Sequence, residues 1–389
     1  MNILLLSCGT GGGHNAAAAA VKEALEQRGH TVEWMEPYSL LGDWRGRWVT
    51  QAVNKSYIRS VQRTPHLFGV TYQLGALYEK YLYKPFGVPS PVYGANLLMR
   101  KPFARLFAET HFDAVVVTHV YPGEILAGMR NSGMDIPPVF WVSTDYDRTA
   151  YTEETHCDYY VIAHEDLTRD YTDWGIPEEK LFPLGIPVLK SFRQNLTKQQ
   201  ARQQLDIPED HSFILVSGGS VGSGKLLETV TLLAGRYRVN DRVSIIAVCG
   251  HNLWLYRRLR KVFGDNVLML GHTDRMAEYM AAADLIIAKP GGLSTTEAAV
   301  IGRPLIFISP IPGGPEKANI RFFTHRNMAR YAKNIGLDLL PLIDTFKDPA
   351  YCHYLASRQK AVIHADAADQ IARLVEERAG DSSRTRTSR

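Results

Sequence analysis

Short apolar runs recur along the chain, and most are followed at once by a glycine-rich turn or by a segment with helical spacing. In the first half these runs cover residues 3–6, 31–35, 114–118, 137–143 and 158–163. In the second half they cover residues 213–217, 244–248, 267–270, 285–288 and 305–308. Apolar runs of this length are typical of buried parallel strands. The pattern predicts an α/β protein with two doubly wound domains that face each other across a cleft.

The turn L-G-I-P-V at residues 184–188 is predicted to be the hinge between these domains. We therefore assign residues 1–187 to a first domain and residues 188–378 to a second domain. A length of 389 residues fits two domains of ordinary size. The remaining residues, 379–389, are polar and basic, and we expect them to form a disordered tail.

The most informative stretch is residues 284–307, D-L-I-I-A-K-P-G-G-L-S-T-T-E-A-A-V-I-G-R-P-L-I-F. Pro290 and the two glycines after it end the strand, because proline cannot continue a central strand. Ser294, Thr295 or Thr296 is expected to cap the helix that follows, and Glu297 is expected in its first turn. The stretch predicts a strand, a glycine loop and a helix that begins at the end of the sheet.

Such a helix start attracts a phosphate, since its first N–H groups and its dipole are positive. A carboxylate one turn in does not suit a phosphate, but it suits a pair of sugar hydroxyls, as in nucleotide-binding α/β folds. An ordinary helix-start glutamate would show the same pattern. The residues alone therefore do not favour either of these two interpretations of Glu297.

The composition indicates a globular protein of a reducing, cytoplasmic compartment. Hydrophobic residues make up 45% of the chain and charged residues 22%. The four cysteines show no C-x-x-C spacing, so neither a zinc site nor a disulfide framework is expected. The N-terminus lacks the basic region of a signal peptide, and no apolar run is long enough to span a bilayer.

Positive charge is concentrated between residues 44 and 105, where ten Lys and Arg residues accompany a single acid, Glu79. Aromatic residues are interleaved with them. A solvated basic face over an aromatic core would have this composition. So would a surface that lies on anionic lipid headgroups, whereas no nucleic-acid-binding module is recognisable. We favour a peripheral contact with an anionic membrane surface.

Candidate bases lie where predicted strands of the first domain end. The run G-T-G-G-G-H, residues 9–14, follows the first strand but does not match the dinucleotide pattern G-x-G-x-x-G. His119 and Asp145 follow two later strands. Because ligands gather at the carboxyl ends of parallel strands, His14, His119 and Asp145 are each candidates for a general base at the cleft.

A second glycine loop, residues 218–225, follows the first strand of the second domain. From Gly219 to Lys225 it satisfies G-x-x-x-x-G-K, but Leu226 stands where a phosphate-binding P-loop has Ser or Thr. An ATPase is therefore disfavoured. The loop can still hold a diphosphate through its main-chain amides.

The motif G-G-x-S-T-x-E-A followed by G-x-P resembles the donor site of two-domain, inverting glycosyltransferases with two Rossmann-like domains (the GT-B fold). The resemblance is to the diacylglycerol-sugar synthases, which include monogalactosyldiacylglycerol synthase and the processive diacylglycerol glucosyltransferases. It implies transfer of a hexose from a UDP-sugar to a diacylglycerol-type lipid with inversion, no metal or other cofactor, and a location at the inner face of the cell membrane.

The resemblance also implies roles for particular residues. His14 or Asp145 would be the catalytic base, and Gly11, Gly12, Gly13 and His119 would line the acceptor side. Glu297 would hold the ribose. The residues expected to bind the donor are Gly219, Ser220, Gly222, His272, Lys289, Gly291, Gly292, Ser294, Thr295, Glu297, Glu316 and Asn319.

Three departures from the family pattern leave the substrates open. Thr149 and Thr152 stand where a histidine and a tryptophan are expected, and Gly314 or Pro315 stands where a glutamine would contact the donor sugar. The alternatives are a soluble or polyprenyl-linked acceptor, an enzyme like UDP-N-acetylglucosamine 2-epimerase, and a protein that senses UDP-sugars without catalysis.

Overall fold

The computed structural model describes residues 1–9, 12–42, 65–194, 196–222, 225–237, 241–264, 267–310, 314 and 316–387. The chain forms two compact units. The first contains the described residues of Met1–Ser60 together with Leu67–Leu189, and the chain returns to it at Asp366. The second contains Lys190–Ala365.

The first unit is built on a six-stranded parallel sheet with the order β2-β1-β3-β4-β5-β6. Its strands are β1 Asn2–Leu6, β2 Thr31–Met35, β3 Ala114–Val117, β4 Val139–Val142, β5 Tyr159–Val161 and β6 Leu181–Phe182. The α-helices are Gly12–Gln27, Pro65–Tyr78, Lys84–Phe86, Pro91–Asn96, Arg100–Glu109, Val120–Arg130, Thr168–Thr172 and, after the return, Ala367–Thr387. A π-helical turn, Glu79–Tyr83, joins two of them.

The second unit repeats this plan with the order β12-β11-β10-β7-β8-β9, again all parallel. Its strands are β7 Ser212–Ser217, β8 Val243–Val248, β9 Leu268–Leu270, β10 Leu285–Ala288, β11 Leu305–Ile308 and β12 Arg330–Ala332. Its α-helices are Lys190–Arg193, Lys198–Gln204, Leu226–Arg236, Leu253–Phe263, Met276–Ala282, Gly292–Ile301, Glu316–His325, Ile335–Thr345 and Pro349–Val362.

The two sheets confirm the predicted doubly wound architecture. Their central strands are apolar because helices cover both faces, and β3, β4, β10 and β11 are buried throughout. In each sheet the strand order reverses beside the first strand, between β1 and β3 and between β7 and β10. Ligands of such sheets bind at the carboxyl ends of the strands at this reversal.

The last helix, Ala367–Thr387, packs on Gly12–Gln27 of the first unit. Ala368, Ile371, Ala372 and Val375 recur at helical spacing and are buried in the first unit's core. Glu376 pairs with Arg28, and its other oxygen lies 2.7 Å from Nε2 of His30. The sequence-based division kept residues up to 378 in the second domain, although the sequence also suggested a last helix, residues 356–377, that returns to the first domain. The helical backbone also continues into the segment expected to be a disordered tail.

Among the helices of the described ranges, none combines the length and the apolar character needed to cross a membrane.

Candidate active site

In the second unit, the loops after β7 and β10 lie side by side at the reversal of strand order. Gly219 follows β7 with a φ of +70°, and a Cβ atom placed on it would lie 3.7 Å from Cε of Lys289. Lys289 follows β10, and its carbonyl accepts a hydrogen bond from the N–H of Gly291 at 2.9 Å. The structure therefore brings together the two glycine motifs that the sequence placed on the donor side.

The loop from Gly219 to Gly222 is closed by a hydrogen bond of 3.0 Å between the N–H of Gly222 and the carbonyl of Gly219. Gly222 has a φ of +60°, and a Cβ atom there would come within 1.9 Å of the Cys249 carbonyl. Gly250 is equally constrained, because its Cβ atom would lie 2.3 Å from the Ser220 carbonyl. Only glycine allows these two loops to pack so closely.

The lysine of the P-loop-like motif points away from this loop. Nζ of Lys225 lies 3.2 Å from Oε2 of Glu228, and both side chains are largely exposed. Leu226 begins the next helix and is buried. Ser223 and Gly224 lie outside the described residues. This arrangement differs from an ATP-binding P-loop, whose lysine contacts the phosphates.

The helix Gly292–Ile301 begins without a side-chain cap, so the prediction that Ser294, Thr295 or Thr296 caps it was wrong. These hydroxyls instead donate backwards, as when Thr295 Oγ1 bonds the Gly291 carbonyl at 2.6 Å. A hydroxyl that donates to a carbonyl one turn earlier does not accept from the N–H groups at the helix start. Those N–H groups therefore have no side-chain cap within the described residues, and an anion can bind them.

Glu297 lies in the second turn of this helix, not in the first turn as predicted, because the helix begins at Gly292. Its half-buried carboxylate makes no hydrogen bond and no ion pair with any residue that the structure describes. Burial raises the pKa of Glu297 to about 7. An ionised carboxylate in such surroundings is stabilised by a ligand that donates hydrogen bonds to it.

Lys289 and Glu316, both expected to bind the donor, form an ion pair of 2.6 Å. Glu316 begins the helix Glu316–His325 and is almost fully buried. Asn319, one turn later, is fully buried and donates a hydrogen bond of 2.9 Å to the Pro290 carbonyl. These contacts hold the loop after β10 against the start of the helix Glu316–His325. Gly314 is described, whereas residues 311–313 and 315 lie outside the described residues.

His272 follows β9, as predicted, and its side chain is 49% exposed. Its ring stacks on His251, with ring centroids 4.4 Å apart and an angle of 16° between the planes. His251 follows β8, and its N–H donates to the Ser220 carbonyl at 2.9 Å. His251 was not among the predicted site residues, although its position after a predicted strand and Cys249-Gly250 was a usable signal.

In the first unit, His14 lies at the carboxyl ends of β3 and β4. Its Nδ1 lies 2.6 Å from the Thr118 carbonyl oxygen and 3.3 Å from Thr144 Oγ1. Because a carbonyl only accepts, Nδ1 carries the proton and Nε2 of the neutral ring keeps its lone pair. Burial lowers the pKa of His14 to about 4 despite this hydrogen bond, so the ring is neutral near pH 7.

His119 contacts His14 edge to face, with ring centroids 4.6 Å apart and an angle of 74°. Its Nδ1 accepts the N–H of Tyr121 at 3.2 Å and so caps the helix Val120–Arg130. The proton of neutral His119 is therefore on Nε2, the reverse of His14. Burial and then the neighbouring His14 lower the pKa of His119 well below its ordinary value.

The other residues predicted in the first unit adjoin this histidine pair. Asp145 is half-buried and directly follows Thr144, which contacts His14. Gly12 and Gly13 lie in the first turn of the helix that carries His14. Gly11 lies outside the described residues.

Thr149 and Thr152, the two departures from the family pattern, belong to a turn. Thr152 is fully buried, and its hydroxyl donates to the Thr149 carbonyl at 2.6 Å. These threonines therefore have a local structural role. Within the described ranges, no group of three or more His, Cys, Asp or Glu side chains is placed to hold a metal ion.

Two doubly wound units, each with candidate ligand-binding residues at the reversal of its sheet, define a glycosyltransferase of the GT-B fold. Residues 14–188 match the family described as monogalactosyldiacylglycerol (MGDG) synthase. Residues 213–371 match the glycosyltransferase family 28 C-terminal domain. The two matches together cover most of the chain, which is therefore a hexosyltransferase of the MGDG synthase and family 28 type, and the family implies a nucleotide-sugar donor.

Curated relatives agree with this assignment. The chain is 27% identical over 343 residues to the processive diacylglycerol beta-glucosyltransferase of Staphylococcus haemolyticus, covering 85% of this chain and 81% of that relative. It is 29% identical over 243 residues to the enzyme of the same name from Staphylococcus carnosus, covering 62% of this chain and 59% of that relative.

Solved structures show the same fold at low sequence identity. MurG of Acinetobacter baumannii superposes with a TM-score of 0.62 at 18% identity, covering 97% of this chain and 99% of that one. UDP-GlcNAc 2-epimerase of Neisseria meningitidis also gives 0.62, at 12% identity, covering 97% of this chain and all of that one (100%). The fold is therefore shared with enzymes of different chemistry and does not by itself choose the reaction.

Proposed function

We propose that this protein transfers a hexose from a UDP-sugar to the free hydroxyl of a diacylglycerol-type lipid, with inversion at the anomeric carbon. The observation that carries the donor half is the carboxylate of Glu297, which has no partner among the described residues and follows an uncapped helix start. Two neighbouring ribose hydroxyls would donate to this carboxylate. The diacylglycerol acceptor is supported by the MGDG synthase match and by the names of the relatives.

The diphosphate of the donor would bind where positive potential converges. The first N–H groups of the helix Gly292–Ile301 supply positive potential there, and Lys289, whose ammonium is paired with Glu316, lies beside the same loop. The main-chain amides of Gly219 and Ser220 would add to these donors, since a Cβ atom placed on Gly219 would lie 3.7 Å from Cε of Lys289. Such preorganised donors stabilise the charge that develops on UDP as it leaves, so the proposed reaction needs no metal ion.

His14 would act as the general base. Nε2 would accept the proton of the acceptor hydroxyl as that oxygen attacks the anomeric carbon and the bond to UDP breaks. The hydrogen bond from Nδ1 to Thr118 holds the ring in the required tautomer. Asp145 is the alternative base beside it, and His119 with Gly11, Gly12 and Gly13 would line the acceptor side.

The first unit would dock on the inner face of the cell membrane, where the lipid acceptor resides. The segment 70–88 carries a series of exposed apolar side chains, whose exposed fractions lie between 42% and 74%. They are Val70, Leu74, Leu77, Tyr81, Leu82, Phe86 and Val88. Glu79, the single acid of the basic segment, is buried and pairs with Arg148 at 3.0 Å. The described part of that segment, residues 65–105, thus exposes apolar and basic groups but no carboxylate, as a membrane-contacting surface does. Residues 44–64 lie outside the described residues.

Incubation with UDP-glucose or UDP-galactose and vesicles that contain diacylglycerol tests the reaction. Release of UDP together with a new glycolipid is the expected result, and a His14→Ala sample is the control. Interconversion of UDP-sugars without UDP release would indicate an epimerase instead. UDP binding without turnover on lipid, polyprenyl or soluble acceptors would indicate a sensor.

Docking is tested by sedimentation with anionic vesicles. Replacing Leu74, Leu77 and Phe86 with serine is expected to weaken the part of binding that resists high salt, because these side chains would enter the headgroup layer. Leu98→Ser is the matched control, since Leu98 is 79% exposed but lies beyond this apolar series. Equal binding of the triple variant and the control would contradict the proposed docking.

A further inference from the structure

A second basic and aromatic surface lies on the other unit, on the helix Leu253–Phe263. Leu255 and Leu259 anchor this helix in the core of the second sheet. The opposite side, which we name the Trp254 surface, exposes apolar residues and cations to solvent. It consists of Leu253, Trp254, Arg257, Arg258 and Lys261, and the exposed Val262 adjoins it at the end of the helix.

The apolar part of the Trp254 surface is large for a solvent-exposed helix. Leu253 is 61% exposed, Trp254 65% and the adjoining Val262 61%. Trp254, Arg258 and Lys261 follow one another at helical spacing, and the Arg258 guanidinium lies 5.1 Å from the Trp254 ring. Aromatic and basic side chains therefore share one face, with Leu253 and Trp254 at its beginning.

Among the described residues, no acid neutralises the cations of this surface. The helix contains no acid, and no residue that the structure describes forms an ion pair with Arg257, Arg258 or Lys261. Some other exposed cations of the same unit are paired, such as Arg275 with Glu278 and Lys347 with Asp344. Unpaired cations beside an exposed tryptophan are suited to an anionic partner.

We propose that the Trp254 surface docks on an anionic lipid surface, with the cations at the headgroups and Trp254 and Leu253 entering the headgroup layer. A basic helix with Trp and Leu on one face is the usual composition of such a contact. A symmetric contact between two copies is disfavoured because it would place like charges opposite each other. This inference rests on the proposed lipid acceptor, and it adds a contact on the donor-binding unit.

The position of the helix Leu253–Phe263 links the proposed membrane contact to the glycine loop Gly219–Gly222. Asn252 caps the helix, because its Oδ1 accepts the N–H of Leu255 at 3.0 Å. Its Nδ2 donates to the Gly222 carbonyl at 2.8 Å. The Trp254 surface therefore begins one residue after a side chain that supports the glycine loop, so docking would hold this loop close to the membrane.

Sedimentation of the full-length protein with phosphatidylglycerol–phosphatidylcholine vesicles at low salt tests the proposal. Replacing Arg257, Arg258 and Lys261 together with glutamine is expected to lower the vesicle partition coefficient by about fivefold for each residue. The matched control replaces Arg321, Lys333 and Lys360 with glutamine, three exposed cations of the same unit that form no ion pair with any described residue, and is expected to bind like the wild type. Circular dichroism melting verifies that both variants fold.

Trp254→Phe provides a second measurement. In the wild type, anionic vesicles are expected to shift tryptophan emission to shorter wavelength, and this variant is expected to lose part of that shift. Equal partition of the two triple variants, or a concentration-dependent dimer that only the Arg257, Arg258 and Lys261 variant disrupts, would overturn the proposal. Failure of the wild type to bind anionic vesicles would overturn both this contact and the docking of the first unit. Glycolipid synthesis from short-chain diacylglycerol in detergent tests the proposed reaction separately.

Discussion

Nδ1 of His14 donates a hydrogen bond of 2.6 Å to the main-chain carbonyl of Thr118. This contact joins the start of the helix Gly12–Gln27 to the end of β3. It leaves Nε2 as the nitrogen that can accept a proton. Burial lowers the pKa of the same ring to about 4, so it is neutral at physiological pH. The free Nε2 of the neutral ring supports the proposal that His14 accepts a proton.

Replacing His14 with alanine is expected to lower kcat by roughly a hundredfold or more, the usual scale for loss of a general base. The dissociation constant of UDP should stay nearly unchanged, because the residues proposed to bind the donor all belong to the second unit. Steady-state kinetics and calorimetry measure the two quantities. Asp145→Asn is run in parallel, and wild-type turnover in both variants would show that the base lies elsewhere.

The binding of UDP is expected to depend on the ionisation of Glu297. Its pKa of about 7 in the free protein means that the carboxylate is largely ionised at pH 8 and largely protonated at pH 6. Ribose hydroxyls donate to the ionised form, so affinity should rise with pH up to about 7 and fall by up to about tenfold per unit below it. Calorimetry between pH 5.5 and 8.5 measures this dependence.

Glu297→Gln is the control for that experiment, since it keeps the titration of UDP itself but removes that of the carboxylate. At pH 8 it should weaken UDP binding by about 2–4 kcal/mol, the scale for a lost charge-assisted contact. At pH 6 the difference between variant and wild type should shrink. A difference that does not change with pH would remove Glu297 from the ribose site.

The sequence predicted most of the sheet, because buried parallel strands are continuous apolar runs that local composition reveals. The strand at 305–308 agrees with β11 residue for residue. The helix start before Glu297 was misplaced because Ser294, Thr295 and Thr296 have the composition of N-caps, and only the structure shows that they donate backwards. Local propensity does not distinguish the two uses of a hydroxyl.

Contacts between residues that are far apart in the chain could not be predicted from the sequence. An amphipathic pattern predicts that Ala367–Thr387 buries one face, but it does not say which sheet receives that face. The stacking of His251 on His272 likewise joins the ends of two strands, and each histidine alone looks like an ordinary loop residue. Glu316 was assigned to the sugar by resemblance, and its pairing with Lys289 became visible only in three dimensions.

That ion pair supports a prediction about stability. In the Lys289→Ala variant, Glu316 would remain almost fully buried but would have lost its paired cation. We expect this unpaired buried carboxylate to destabilise the second unit by about 2–4 kcal/mol. The double variant Lys289→Ala/Glu316→Gln removes the charge as well and should recover part of this loss. Hydrogen exchange of the β7–β12 strands in each variant measures the local stability. A double variant less stable than Lys289→Ala would contradict the role of the pair.

The final prediction concerns the loop Gly219–Gly222 and its choice of nucleotide. Lys225 pairs with Glu228 near the surface, and Leu226 replaces the hydroxyl residue of a P-loop, so magnesium-dependent ATP binding is not expected. UDP at a hundred times its dissociation constant should stabilise the protein by about 2.7 kcal/mol without magnesium, whereas ATP should do little. Thermal unfolding with each nucleotide, with and without magnesium, provides the measurement. Lys225→Ala should keep the response to UDP and Glu297→Ala should lose it, while preferential stabilisation by magnesium and ATP would reverse the assignment of this loop.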